Sequence, residues 1–149
     1  MKGESMKVTR EGVFETNSSS MHSIHIARAA KTYDTIAPNG DGDIVLEGGE
    51  FGWEEETYYD SGTKANYCAV DTEGSAEKRT MLEKVIKDHT GAKGVIFKIK
   101  TDWNGGGYGN SYIDHQSDGT SHEAFESEEV LKEFIFNPKS HLRTDNDNH

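Results

Sequence analysis

Residues 75–100 most constrain what this chain can fold into, because helix start, apolar stripe, helix stop and strand follow one another there. Ser75 stands where an N-cap hydroxyl would take up a free helical amide, and Gly91 where a left-handed residue would close a helix reaching about Thr90. Met81, Leu82, Val85 and Ile86 recur between them at three- and four-residue spacing, with Lys and Glu on the other side. Gly94 then introduces Val95-Ile96-Phe97-Lys98-Ile99-Lys100, in which Val95, Phe97 and Ile99 face one way and Ile96, Lys98 and Lys100 the other.

Other segments carry weaker versions of the same signals. Ser127, followed by Glu128 and Glu129, predicts a helix that buries Val130, Leu131, Phe134 and Ile135 and stops at Pro138. Thr63 to Val70 predicts a short helix with Ala65, Cys68 and Ala69 inside. Strands are expected within residues 7–14, at Ile44-Val45-Leu46, over Ser111 to His115 and over His141 to Thr144. In Met21 to Ile26, two-residue alternation sets His22, Ile24 and Ile26 on one face and Ser23 and His25 on the other. Strands at both ends with helices between them predict an α+β fold: one domain spanning 1–149, with a single mixed, mostly antiparallel sheet covered by two or three helices and a polar tail from about residue 145.

Composition narrows the function classes. The chain has 149 residues and a net charge of −11, with 32% hydrophobic residues and one cysteine. No apolar run approaches the roughly 18 residues of a membrane span, and the N-terminus has no apolar h-region, so neither a membrane span nor a signal peptide is expected. One cysteine excludes an internal disulfide framework and a multi-cysteine zinc site. Direct binding to duplex nucleic acid is not expected, because phosphate attraction needs basic surface. The charge is unevenly placed: residues 38–60 hold eight acids and no base, and residues 101–149 hold ten acids and three bases. These two acidic blocks flank a mildly basic middle. A solvated surface explains them, as does a docking face for a basic partner.

The segment Gly12-Val13-Phe14-Glu15-Thr16-Asn17-Ser18-Ser19-Ser20-Met21-His22-Ser23-Ile24 resembles the opening of a group of short uncharacterised phage and bacterial proteins with the pattern F-E-T-N-S-S-S-x-H-S-I. Gly49-Glu50-Phe51-Gly52-Trp53, Tyr112-Ile113-Asp114-His115-Gln116-Ser117, and Phe136-Asn137-Pro138 with Asn146-Asp147-Asn148 are similar to the same group. The chain departs from it at Asp145, where the group carries glycine. The resemblance implies a phage or prophage origin and life in a host cytoplasm; it implies no activity.

The densest polar constellation joins Asn17, Ser18, Ser19, Ser20 and His22 with Asp114, His115, Gln116 and Ser117. Asn146 and Asn148 in the polar tail are candidates for the same site. Ser and Asn side chains with exposed amides can cradle a phosphate, and a histidine can move a proton near neutral pH. In the catalytic version Ser19 is activated by His22 or His115 and oriented by Asp114. In the binding version Asn17, Ser18, Ser20, Gln116, Ser117, Asn146 and Asn148 hold the ligand. A turn followed by a strand accounts for the N-terminal part without any ligand.

No metal site is assigned. His22 and His25 fall on opposite faces of a strand; His115 and His122, with Asp114 and Asp118, are a weak oxygen/nitrogen set. Asn39, Asp41, Asp43, Val45, Glu47 and Glu50 match a calcium-loop register, but Ile44 stands where that loop needs glycine. The glycine run Trp103 to Gly109 lacks the lysine and hydroxyl of a phosphate loop. Aromatic Phe51, Trp53, Tyr58 and Tyr59 set among acids suit a protein interface or the anchoring of a long loop. Cys68 reads as a small buried residue. No motif names a cofactor or sets an oligomeric state. Two expectations follow: a protein that binds or processes a small phosphate-bearing, nucleotide-like ligand through the Ser/Asn/His cluster, or an acidic interaction protein that inhibits a basic host or anti-phage defence factor without catalysis.

Overall fold

The computed structural model describes residues 22–51, 54–99, 112–113 and 120–145. Its centre is α1 (Ser61–Asp71), which places Ala65, Tyr67, Cys68 and Ala69 entirely inside. The Asp60 carboxylate starts this helix by accepting from the Thr63 amide at 2.8 Å, and that bond keeps the acid below its usual range despite partial burial. The helix is longer than the expected 63–70 and also hides Ser61, Lys64, Tyr67 and Val70, which the expected inner face of Ala65, Cys68 and Ala69 did not include.

The second helix, α2 (Ala76–Thr90), follows the reading of residues 75–91 closely. Ser75 accepts from the Lys78 amide at 3.3 Å, and Gly91 ends the helix at φ +79°, where a Cβ-bearing residue would be strained. Leu82, Val85 and Ile86 are its buried residues. The third, α3 (Glu128–Phe136), is capped by the Ser127 side chain on the Val130 amide and buries Leu131, Phe134, Ile135 and Phe136 completely. A 3₁₀ segment, Thr120–Glu126, precedes it and seals Ala124 and Phe125 against the core. Its seven residues show no three- or four-residue apolar stripe, so nothing in the sequence announced them.

The architecture is α+β. The expected single sheet is divided, among the described residues, into three small ones. Strands β1 (Ser23–His25), β7 (His141–Thr144) and β4 (Glu56–Tyr58) form an antiparallel sheet with β7 in the middle. Strands β2 (Asp43–Leu46) and β5 (Gly94–Phe97) pair in parallel, as do β3 (Glu50–Phe51) and β6 (Tyr112–Ile113). Parallel partners need a long crossover, and the chain between β2 and β5 includes α1 and α2. Strand β4 arises inside the acidic block, where the sequence pattern predicts no strand.

The alternation predicted for residues 95–99 is present: Ile96 is exposed, while Val95, Phe97 and Ile99 pack against the core. The calcium-loop register is a turn. Asn39 Oδ1 accepts from the amides of Asp41 and Asp43 at 2.9 and 3.0 Å, and the chain then enters β2 with Ile44 and Leu46 buried. The expected strand within 7–14 and the Trp103–Gly109 run lie outside the described residues.

Candidate functional site

The antiparallel sheet has two faces of opposite character, set by its register. Ile24 pairs with Leu142 and Leu142 with Tyr58, and these three turn inward to the core. One residue along, the side chains turn outward. His25 pairs with His141, whose ring lies 5.2 Å from that of His25 and 5.0 Å from that of Tyr59. Ser23 pairs with Arg143 and Arg143 with Thr57 in the next outward row. Arg143 donates to Thr57 Oγ1 at 3.3 Å, to Glu55 at 3.3 Å and to Asp145 at 2.8 Å. The Asp145 bond above all holds the guanidinium above its usual range. Burial depresses the His141 imidazole, and the neighbouring His25, Lys64 and Arg143 charges add to the effect.

His22 is the one proposed catalytic residue that the structure describes. It lies on the inner side of β1, half-buried, with Nδ1 2.9 Å from the hydroxyl of Tyr67. Tyr67 is fully buried on α1, and the Phe51 ring stands edge-on to it at 4.8 Å. Phe51 in turn pairs with Ile113, and α1 touches β6. His22 is thus built into the core through Tyr67. Asn17, Ser18, Ser19, Ser20, Asp114, His115, Gln116, Ser117, Asn146 and Asn148 lie outside the described residues. What the fold places is the ends of the segments that carry them. Because Ser23 faces Arg143 on antiparallel strands, the chain enters β1 and leaves β7 at the same end of the sheet.

Two groups with unusual electrostatics lie elsewhere. Lys64 is fully buried, and among the described residues no carboxylate forms an ion pair with it; its Nζ donates to the carbonyls of Asn137 at 3.0 Å and Ser140 at 2.9 Å. Burial lowers its pKa to about 8, against the pull of Asp34 and Asp60. Glu133 is also buried, yet it accepts from the Tyr33 hydroxyl at 2.6 Å and from Asn137 Nδ2 at 3.0 Å. These bonds outweigh burial and keep it below its usual range. Both tie the connection between α3 and β7 into the core. Burial pushes the Cys68 thiol far upward, which makes it a packing residue. A shallow cleft of about 210 Å³ between α2 and α3, lined by Asp88, His89, Glu128, Glu129 and Lys132, is occupied at its rim by Lys84 bridging Asp88 and Glu128.

The eight acids of residues 38–60 are all placed. Asp41, Glu47, Glu50, Glu54, Glu55, Glu56 and Asp60 are exposed and Asp43 is half-buried. Glu54, Glu55 and Glu56 lead into and begin β4, whose one strand partner among the described residues is β7. Of the aromatics in this block, Phe51 is core, Tyr58 is half-buried with its hydroxyl pushed up by burial and then by Glu56 and Glu54, and Tyr59 is 52% exposed. Trp53 lies outside the described residues.

Among the described residues no three of His, Cys, Asp and Glu gather around one point, and no helix is long and apolar enough to cross a membrane. The residues of the outward rows, His25, His141, Tyr59 and Arg143, were absent from the sequence-based site. Alternation sent His25 outward and marked 141–144 as a strand, but the register joining them is a long-range fact. No family model, no curated protein and no solved structure matches this chain.

Proposed function

We propose that this chain is an acidic interaction protein, which docks the β4 edge and its leading acids onto a basic segment of a protein partner and performs no chemistry there. The observation that carries the reading is the exposure of Glu54, Glu55 and Glu56, which lead into and begin β4 at the edge of its sheet among the described residues, with Tyr59 exposed just beyond. Arg143, which bonds Glu55 in this run, is shared with Asp145. Complementary charge of this kind accelerates encounter and selects partners more than it adds affinity. An exposed tyrosine beside the acids supplies the aromatic anchor that charge alone lacks. The phage-like N-terminal string supports a partner in a host cell, a basic host or defence factor, met in the cytoplasm.

The test uses a lysine-rich peptide and fluorescence anisotropy. Replacing Glu54, Glu55 and Glu56 together by Gln should weaken binding at least tenfold at low salt. Removing three exposed acids elsewhere, at Glu77, Glu123 and Glu126, should weaken it no more than about threefold. Equal losses in the two variants would reduce the edge to generic surface charge and end this reading.

A second reading keeps the phosphate-bearing ligand. It is favoured by the chain entering β1 and leaving β7 at one end of the sheet, close to where His22 meets Tyr67. In that reading Ser19, His22, Asp114 and His115 act on a nucleotide-like ligand held by Asn17, Ser18, Ser20, Gln116, Ser117, Asn146 and Asn148. A thermal shift with nucleotides that Ser19→Ala and His115→Ala abolish would support it. No shift with any nucleotide would retire it.

A further inference from the structure

The outward row of the antiparallel sheet sets two imidazoles directly opposite each other. Side chains directly across an antiparallel pair have Cβ atoms about 4.5–5.5 Å apart. Two imidazole nitrogens on one ion, each at about 2.0–2.1 Å, fall within that reach. His25 and His141 meet the requirement: they are register partners, their rings are 5.2 Å apart and 28° from parallel, and His25 is exposed.

A second observation concerns His141 alone. Its Nδ1 is buried and, among the described residues, has no hydrogen-bond partner. Buried polar atoms are nearly always paired, and an orphan calls for a water or an ion. Arg143, in the next row, is bonded to Glu55 and Asp145 and so opposes an incoming ion less than a lone guanidinium would. A net charge of −11 raises the local concentration of any cation.

We propose that His25 and His141 form a transition-metal site that takes one borderline divalent ion of the Ni(II), Cu(II) or Zn(II) class through two imidazole nitrogens. Water fills the remaining positions, since a cluster of three protein ligands is absent among the described residues. Imidazole donors suit these ions and not calcium or magnesium. The site stands on the open face of the sheet and is independent of the acidic edge in its donors.

The experiment is a titration of the full-length chain with nickel chloride by calorimetry, paired with electron paramagnetic resonance of the copper(II)-loaded protein. One ion per chain is expected. His25→Ala and, separately, His141→Gln should each weaken nickel binding at least tenfold, while His89→Ala and His122→Ala stay within twofold. The copper spectrum should show coupling to two nitrogens and lose one in His25→Ala. Circular dichroism confirms that the variants fold, and exposed His25 keeps the test valid if His141→Gln does not. No binding of nickel, or binding that His25→Ala leaves unchanged, would overturn the site.

Discussion

The two faces of the β1–β7–β4 sheet share three strands and a backbone, yet they meet opposite demands. The inner face is Ile24, Leu142 and Tyr58, packed on the core, with Leu142 wholly hidden. The outer face is His25, His141 and Tyr59, then Ser23, Arg143 and Thr57, with polar atoms reaching solvent. Period-two geometry makes this division sharp: each residue belongs to one face and its neighbour to the other. Stability should therefore reside on one side of the same ladder and chemistry on the other.

The largest expected effect tests that division directly. Leu142→Ala removes a fully buried side chain from the central strand and should cost about 2–5 kcal/mol, read by urea unfolding. His25→Ala, on the strand paired to it, should change stability by no more than about 0.5 kcal/mol. Comparable losses from both would erase the distinction between the faces.

Lys64 on α1 is a fully buried amine, and its pH dependence has a definite sign. Lys64 has a folded pKa of about 8, below the 10.5 of a free lysine, so between those values the unfolded chain binds more protons than the folded one. Stability therefore rises with pH across that window and is at its lowest, for this group, below pH 8. The neutral amine still has two N–H bonds, enough for the carbonyls of Asn137 and Ser140, so both contacts survive the loss of charge. The gain is on the order of 3 kcal/mol when complete. Urea unfolding at pH 7.5, 8.5 and 9.5 should show this rise in the wild-type chain and not in Lys64→Met; parallel curves for the two would show that Lys64 is not the group responsible.

Capping comes next. Ser75→Ala and Ser127→Ala each free a helical amide, of Lys78 and Val130, and each should cost about 1 kcal/mol in thermal or urea unfolding. Losses under a few tenths would mean that packing alone holds these helices, leaving the sheet's inner face more dominant than argued above.

These caps also show why parts of the fold were legible in the sequence. Ser75, Gly91 and Ser127 act within four residues of themselves, and the stripes of α2 and α3 repeat every turn, so local sequence specifies them. Lys64 was not legible, because its burial depends on carbonyls about 75 residues away. Strand β4 was hidden by its acids: only its partner β7 makes Glu56–Tyr58 a strand. The candidate site divides the same way. Alternation sent His22 inward and His25 outward, and both lie so. That His25 would meet His141 and Tyr59 depended on register, which no local pattern encodes.

The smallest effect lies on the outer face, within the Arg143 group. Asp145 is 2.8 Å from the guanidinium with 11% of its side chain exposed, whereas Glu55 is 3.3 Å away with 61% exposed. Water and salt screen the second pair far more than the first, and its side chain loses more rotamer freedom per contact. Glu55→Gln should therefore cost less than about 0.5 kcal/mol, a loss that disappears in 0.5 M salt. Asp145→Asn should cost more, about 1 kcal/mol, and persist in salt because the bond is largely shielded. Paired urea melts at low and high salt measure both differences. If Glu55→Gln proved the costlier change, the exposed edge of β4 would be a structural clamp on β7, and the outer face would share the stabilising work assigned to the inner one.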